Sequence, residues 1–152
     1  MLRIRDARAQ DEAVWRNLWA GYTAFYETLV AEEVTAHTWA RILDPASPIF
    51  CTLAEHDDLV VGFAICVLHE GTWSTQPVCY LEDLFVAPEQ RGAGIGRAII
   101  NDLCQRGAEA GWAQLYWSTH RNNPGRKLYD EFTQADESVR YRLDVKLRPS
   151  DA

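Results

Sequence analysis

Apolar and polar positions alternate at two periods along this chain, and the switches between them outline the elements. Residues 2–6, LRIRD, alternate strictly and predict a first strand. From about Gln10 to Leu29 the apolar positions Val14, Leu18, Tyr22, Phe25 and Leu29 recur at helical spacing, with Gly21 as a weak point. A second helix is predicted from an N-cap at Thr35 through Leu43, closed by Asp44-Pro45. Residues 49–55 and 59–68 are β-rich runs separated by His56-Asp57-Asp58, a hairpin signal. Gly71 to Pro77 is a polar loop containing Trp73. A strand over 79–87 and a helix over about 93–110, ending at Gly111, follow. Residues 112–119, WAQLYWST, are apolar almost throughout and predict a central buried strand. Asn122-Asn123-Pro124-Gly125 opens a fourth helix over 125–132, and Val139 to Leu147 predicts a last strand. The order β-α-α-β-β-β-α-β-α-β predicts an α/β fold: a mixed, mostly antiparallel sheet with helices on both faces.

Length changes the picture only by bounding it. A chain of 152 residues is expected to form a single domain, 1–152, and shows no repeats, low-complexity tracts or linkers. No stretch reaches the ~20 consecutive apolar residues of a membrane span, and the N-terminus lacks the apolar centre of a signal peptide. A cytoplasmic protein with no membrane partner is expected. The four cysteines, at 51, 66, 79 and 104, fall inside apolar patterns without a Cys-x-x-Cys pair. Buried free thiols are expected rather than disulfides or zinc. The four histidines are scattered, so no metal site is predicted. A net charge of −7 argues against nucleic acid and suits a cationic small molecule or a basic peptide. Six tryptophans, six tyrosines and five phenylalanines exceed the needs of a core this size and point to an aromatic-lined cleft.

The most specific chemistry lies between strand and helix, in Arg91-Gly92-Ala93-Gly94-Ile95-Gly96-Arg97. Three glycines at the mouth of a helix let ligand oxygens approach the backbone. The helix's unpaired N–H groups and positive dipole end favour an anion there. A pyrophosphate cradle is the natural reading. A dinucleotide fingerprint is excluded, because its third glycine position is Arg97 when counted from Gly92 and no acidic residue follows at the required distance. A P-loop is excluded because no Gly-Lys-Ser/Thr exists.

Arg-x-x-Gly-x-Gly, from Arg91 through Gly94 to Gly96, directly after Leu84-Phe85-Val86, resembles the acetyl-CoA-binding motif of the GNAT superfamily of N-acetyltransferases. The resemblance covers nearly the whole chain and is strongest from Val78 to Tyr129. The family also carries an Asn followed about seven residues later by Leu-Tyr, matched here by Asn122 and Leu128-Tyr129. YLEDLFV and TWSTQPVC look like the spermidine/spermine N-acetyltransferases and the branch that acetylates histones and polyamines. LYWSTHRNN resembles that second branch. One departure stands out. Where many relatives read Leu-Tyr-x-x-x-Gly-Phe, this chain has Phe132-Thr133-Gln134 after Glu131, so the family's C-terminal turn is not carried over.

The resemblance implies an acetyl-CoA-dependent N-acetyltransferase of EC class 2.3.1. Leu84, Phe85 and Val86 would offer backbone groups to the pantetheine arm, and a backbone N–H there to the developing oxyanion. The N–H groups from Arg91 to Arg97 (Gly92, Ala93, Gly94, Ile95 and Gly96 between them) would hold the pyrophosphate. Asn122 matches the position near the pantetheine, and Tyr129 is the expected general acid toward the CoA sulfur. An amine with a pKa near 10.4 lies about three units from its reactive form at pH 7.4, which costs on the order of 4 kcal/mol. A carboxylate helps most directly. Glu82 is the expected base and Asp83 the weaker candidate, since neighbours on a strand point to opposite faces. Tyr26, Glu27 and Trp73, with Glu82 and Asp83, are expected to line the acceptor pocket, the aromatic faces drawing an ammonium by cation–π attraction. The expected acceptor is a primary amine of a small polyamine-like or amino-acid-like compound, and a homodimer is expected by family habit. A protein lysine or N-terminal acetyltransferase, or a non-catalytic CoA-binding sensor, are the alternatives.

Overall fold

The computed structural model describes residues 1–146. They form two compact units that meet in sequence at His120 and Arg121. The first contains β1 (Leu2–Asp6), α1 (Glu12–Phe25), α2 (Glu32–Leu43), β2 (Ile49–His56), β3 (Leu59–His69), β4 (Val78–Val86), α3 (Ile95–Ala110) and β5 (Gln114–Tyr116). The second contains the single turn of helix α4 (Arg126–Tyr129). Among the described residues no helix is long and apolar enough to cross a membrane.

The sheet runs β1-β2-β3-β4-β5, with the first four strands antiparallel and β5 parallel to β4. The expected mixed, mostly antiparallel α/β architecture is therefore present. At the β2–β3 hairpin Asp57 and Asp58 both take left-handed backbone, at φ 52° and 66°. Two such residues in a row make the mirror-image turn whose twist matches a hairpin, and Asp tolerates it better than most residues.

Pairing decides the two faces. Phe63 stands opposite Phe85 and Ile65 opposite Asp83, so these four share a face. Over it lie Trp15, Leu18 and Trp39, with Trp15 stacked between Trp19 (5.3 Å between centroids) and Trp39 (5.0 Å). Ala64, Cys66, Cys79 and Leu81 alternate to the other side and are buried with Ile95, Ile99, Ile100 and Leu103 of α3. Helices on both faces follow directly. Arg5 ties β1 to the start of α1, its guanidinium clamping Asp11 at 2.8 Å and also reaching Glu55.

Several boundaries differ from the periodic pattern. α1 stops at Phe25 because Glu27 turns into left-handed backbone (φ 52°), and Leu29 is left fully exposed. Thr35 is not an N-cap. It lies inside α2, buried, and its hydroxyl accepts a bond from Trp19 Nε1 at 3.1 Å. Cys104 lies on the exposed side of α3, whereas the other three cysteines are buried as expected. β5 spans three residues instead of eight and ends the sheet, with Tyr116 exposed. Aromatic content made that segment look like a central strand, yet only three of its residues find β4.

In the second unit, Asn123 Oδ1 accepts the Gly125 N–H at 2.8 Å, and Arg126 holds the Arg121 carbonyl at 2.8 Å. The fourth helix covers 126–129 rather than 125–132. The expected last strand over 139–147 does not form among the described residues, since 139–146 has no ladder partner, and Leu147 lies outside them.

Candidate functional site

β4 carries the site because its two sides are treated differently. It pairs with β5 only from Val78 to Tyr80, where Tyr80 stacks on Tyr116 at 4.9 Å. From Leu81 to Val86, β3 is the only strand beside it among the described residues. One side of this stretch thus offers main-chain groups that an extended amide-bearing ligand can pair with. Leu84 and Val86 are half-buried and Phe85 is buried in the core, so their contribution to a ligand is the backbone.

The loop that follows fits an anion. Gly92 and Gly94 have φ of 84° and 79°, a region that penalises any Cβ. A Cβ on Gly92 would meet no atom within 4 Å, and one on Gly94 only Arg97, at 3.7 Å. The space above the loop is therefore open. Gly94 is the N-cap of the sixteen-residue α3, and no side chain caps that end. An α-helix leaves its first-turn N–H groups without intrahelical partners, and the positive end of the dipole stands behind them. Ile95 itself is buried, so its side chain anchors the helix. Ala93 and Arg97 are exposed. The Arg91 side chain has contacts of its own. Its Nε donates to the Val86 carbonyl at 3.0 Å, and its guanidinium lies over the rings of Phe85 and Phe25 at 5.4 and 5.6 Å. It locks the loop to the end of β4.

A bulge sets the carboxylates. Cys66 stands opposite Leu81 and Ile65 opposite Asp83, which leaves Glu82 as the extra residue of β4. Strict alternation is suspended there, so the expectation that Glu82 and Asp83 occupy opposite faces does not hold. Both lie within electrostatic reach of Tyr22 on α1. Glu82 is exposed and Asp83 half-buried. Burial first, and then the Glu82 charge, push the Asp83 carboxyl up to about 6, while the Tyr22 hydroxyl donates to it and holds it back. The Tyr22 phenol is raised by burial and by Asp83. Burial and Asp83 also raise Tyr26, which is 5.1 Å from Tyr22 between ring centroids.

Tyr26 and the carboxylates therefore come together, as expected, and Glu27 turns the chain immediately after them. Trp73 does not join them. Fully exposed, it lines a separate cleft of about 530 Å³ with Gly71, Thr72, Ser74, Val78, Ala113 and Gln114. That cleft is at the Val78 end of β4, four residues or ~13 Å along the strand from Glu82. The sequence marks Tyr22 only as one of the positions at helical spacing in α1. Its i, i+4 relation to Tyr26 was the one signal for its role. In the second unit Asn122 is exposed, and Tyr129 is half-buried with its hydroxyl 3.5 Å from where a Gly125 Cβ would sit.

A model of the acetyltransferase (GNAT) family matches residues 12–133. The chain belongs to the GNAT family. It is an N-acetyltransferase of the acyltransferase class, and its relatives are named for such activities. D-amino-acid N-acetyltransferase HPA3 of Saccharomyces cerevisiae is 31% identical over 142 residues, covering 91% of this chain and 88% of the yeast protein. A thialysine N-epsilon-acetyltransferase of Bos taurus is 35% identical over 95 residues, 62% of this chain and 46% of the bovine protein. The solved structure of AAC(6')-Iy with the bisubstrate analogue CoA-S-monomethyl-acetylneamine matches with a TM-score of 0.80 at 21% identity. It covers 95% of this chain and 99% of its own, and the likeness shows the fold. The GNAT family uses acetyl-CoA, and the open glycine loop at an uncapped helix end fits its pyrophosphate.

Proposed function

We propose that this GNAT protein binds acetyl-CoA along Leu84–Val86 and the 91–97 loop and acetylates the primary amine of a small, cationic, amino-acid-like or polyamine-like compound. The observation that carries the acceptor class is the bulged carboxylate pair beside Tyr22 and Tyr26, directly before the loop. The relatives named for D-amino acids and thialysine support an amino-acid-like amine. Bound acetyl-CoA would supply the thioester acetyl group. The protein's own residues do the rest. N–H groups of α3's first turn hold negative charge, and β4 backbone orients the arm. Asp83, with a carboxyl near 6, is matched to take a proton from an ammonium near neutral pH. Glu82, exposed at the bulge, draws the cation in. In a second reading Glu82 is the proton acceptor through a water, favoured by that same exposure. Tyr129 is proposed to return a proton to the departing sulfur, and Asn122 to contact the pantetheine.

The test is a panel of amines with acetyl-CoA, reading free thiol. Turnover is expected with dicationic amines and basic amino acids. Turnover with lysine-bearing peptides alone would move the acceptor to protein. Acetyl-CoA binding without turnover on any amine would leave a sensor.

A further inference from the structure

Tyr22 carries its hydroxyl on a ring that cannot move far. Trp19 and Tyr26 of its own helix pack against that ring, at 5.5 and 5.1 Å between centroids. Phe63 of β3 and Phe85 of β4 close on it at 5.7 and 6.0 Å. The contacts with Tyr26, Phe63 and Phe85 are edge-on, a favoured geometry that fixes the ring plane and so the place of the phenol oxygen. Helix and strand also meet closely here. A Cβ on Gly21 would stand 3.1 Å from the Phe85 ring, so the bare backbone at that position lets α1 seat against β4. The glycine that weakens the helix locally therefore has a tertiary use. Asp83 lies where this seating brings the phenol, half-buried beside the bulge, and the Tyr22 hydroxyl donates to it.

We infer that Tyr22 is a positioning residue for proton removal: its hydroxyl holds one oxygen of the Asp83 carboxylate and leaves the other for the substrate ammonium. The inference rests on Asp83 as the base and adds what prepares it. A carboxylate accepts at two oxygens, whereas a phenol donates one hydrogen. A carboxyl drawn out of water with no donor beside it reverts to the neutral acid and can take no proton. Burial and the Asp83 charge keep the phenol protonated, so Tyr22 acts as a donor and not as a base. The other groups around Asp83 do not share this task. Glu82 on the same strand opposes ionisation of Asp83. Tyr26 of α1 and the buried Cys51 thiol of β2 feel the Asp83 charge and are themselves raised by it. Ile65, opposite on β3, is apolar. Among these groups Tyr22 is the one that favours the anion.

Tyr22→Phe keeps the ring and its packing and removes only the hydroxyl. The acid limb of kcat should then move up by ~1–2 pH units, the weight of one hydrogen bond to a charged group. Above the new limb kcat should return toward wild type, and the acetyl-CoA dissociation constant should not change. A carboxyl-carbon NMR titration of Asp83, without substrate, should show the same upward shift. A purely structural loss would lower kcat at every pH and move neither the limb nor the titration, and that result overturns the inference. A limb that Asp83→Asn removes but Tyr22→Phe leaves in place overturns the role of Tyr22 alone. A limb that survives Asp83→Asn overturns the reading of Asp83 as the base, and the inference with it.

Discussion

Asp83 is the residue whose chemistry differs most from its reference state, and pH reads it directly. Its folded pKa of about 6 lies above the ordinary carboxylate value near 4. Ionised Asp83 therefore destabilises the fold above pH 6, and the penalty vanishes below about pH 4, where both states are protonated. Asp83→Asn should raise the melting temperature at pH 7–8, by on the order of 2 kcal/mol of stability. That gain should close as pH falls toward 4. In the rate profile, Asp83→Asn should also remove an acid limb near pH 6 that Glu82→Gln retains. If Glu82→Gln removes the limb instead, the second reading of the base holds. Tyr129→Phe keeps the ring and loses only the hydroxyl. Turnover is expected to fall about 10²- to 10⁴-fold, the usual range for a general acid, with little change in acetyl-CoA affinity by calorimetry.

At the scale of elements, the turn between β4 and α3 is specified by backbone rather than side chains. Gly94→Val would force a branched residue into left-handed backbone at the N-cap of α3. Acetyl-CoA should then give no thermal shift, whereas the wild type should gain about 2.7 kcal/mol at a hundredfold excess over its dissociation constant. The junction of β1 and α1 relies on a buried ion pair. Arg5 holds Asp11 well below the usual carboxylate range, chiefly through their hydrogen bonds. This contribution is present above the unfolded pKa near 4 and is lost as pH falls through the folded value. Arg5→Gln leaves Asp11 buried without its cation and should cost about 3 kcal/mol at pH 7, measured by urea unfolding. The cost should shrink at pH 3.

For the whole molecule, net charge and the exposed carboxylate act together. A protein of −7 with Glu82 at the proposed reaction centre should favour amines that carry a second positive charge. The KM for spermidine should rise with ionic strength more steeply than that for an uncharged primary amine. Glu82→Gln should flatten the difference. Equal efficiency for cationic, neutral and anionic amines would remove the charge-selected acceptor and leave the acetyltransferase class intact.

Local chemistry was legible in the amino-acid order. The glycine loop, the helix it opens, the Asp57-Asp58 hairpin and the Asp44-Pro45 stop depend on residues within a few positions of one another, so spacing alone carries them. The tertiary structure decided everything that depends on which distant backbone lies alongside. Ile65 against Asp83 creates the bulge at Glu82 and brings both carboxylates near Tyr22. The Arg91 guanidinium clamps the loop because Val86, Phe25 and Phe85 surround it. Trp73 stays apart because β4 extends between its loop and the bulge. Alternation in 139–145 announces a strand, but a strand exists only where a partner's N–H and C=O groups face it, and no local pattern names that partner.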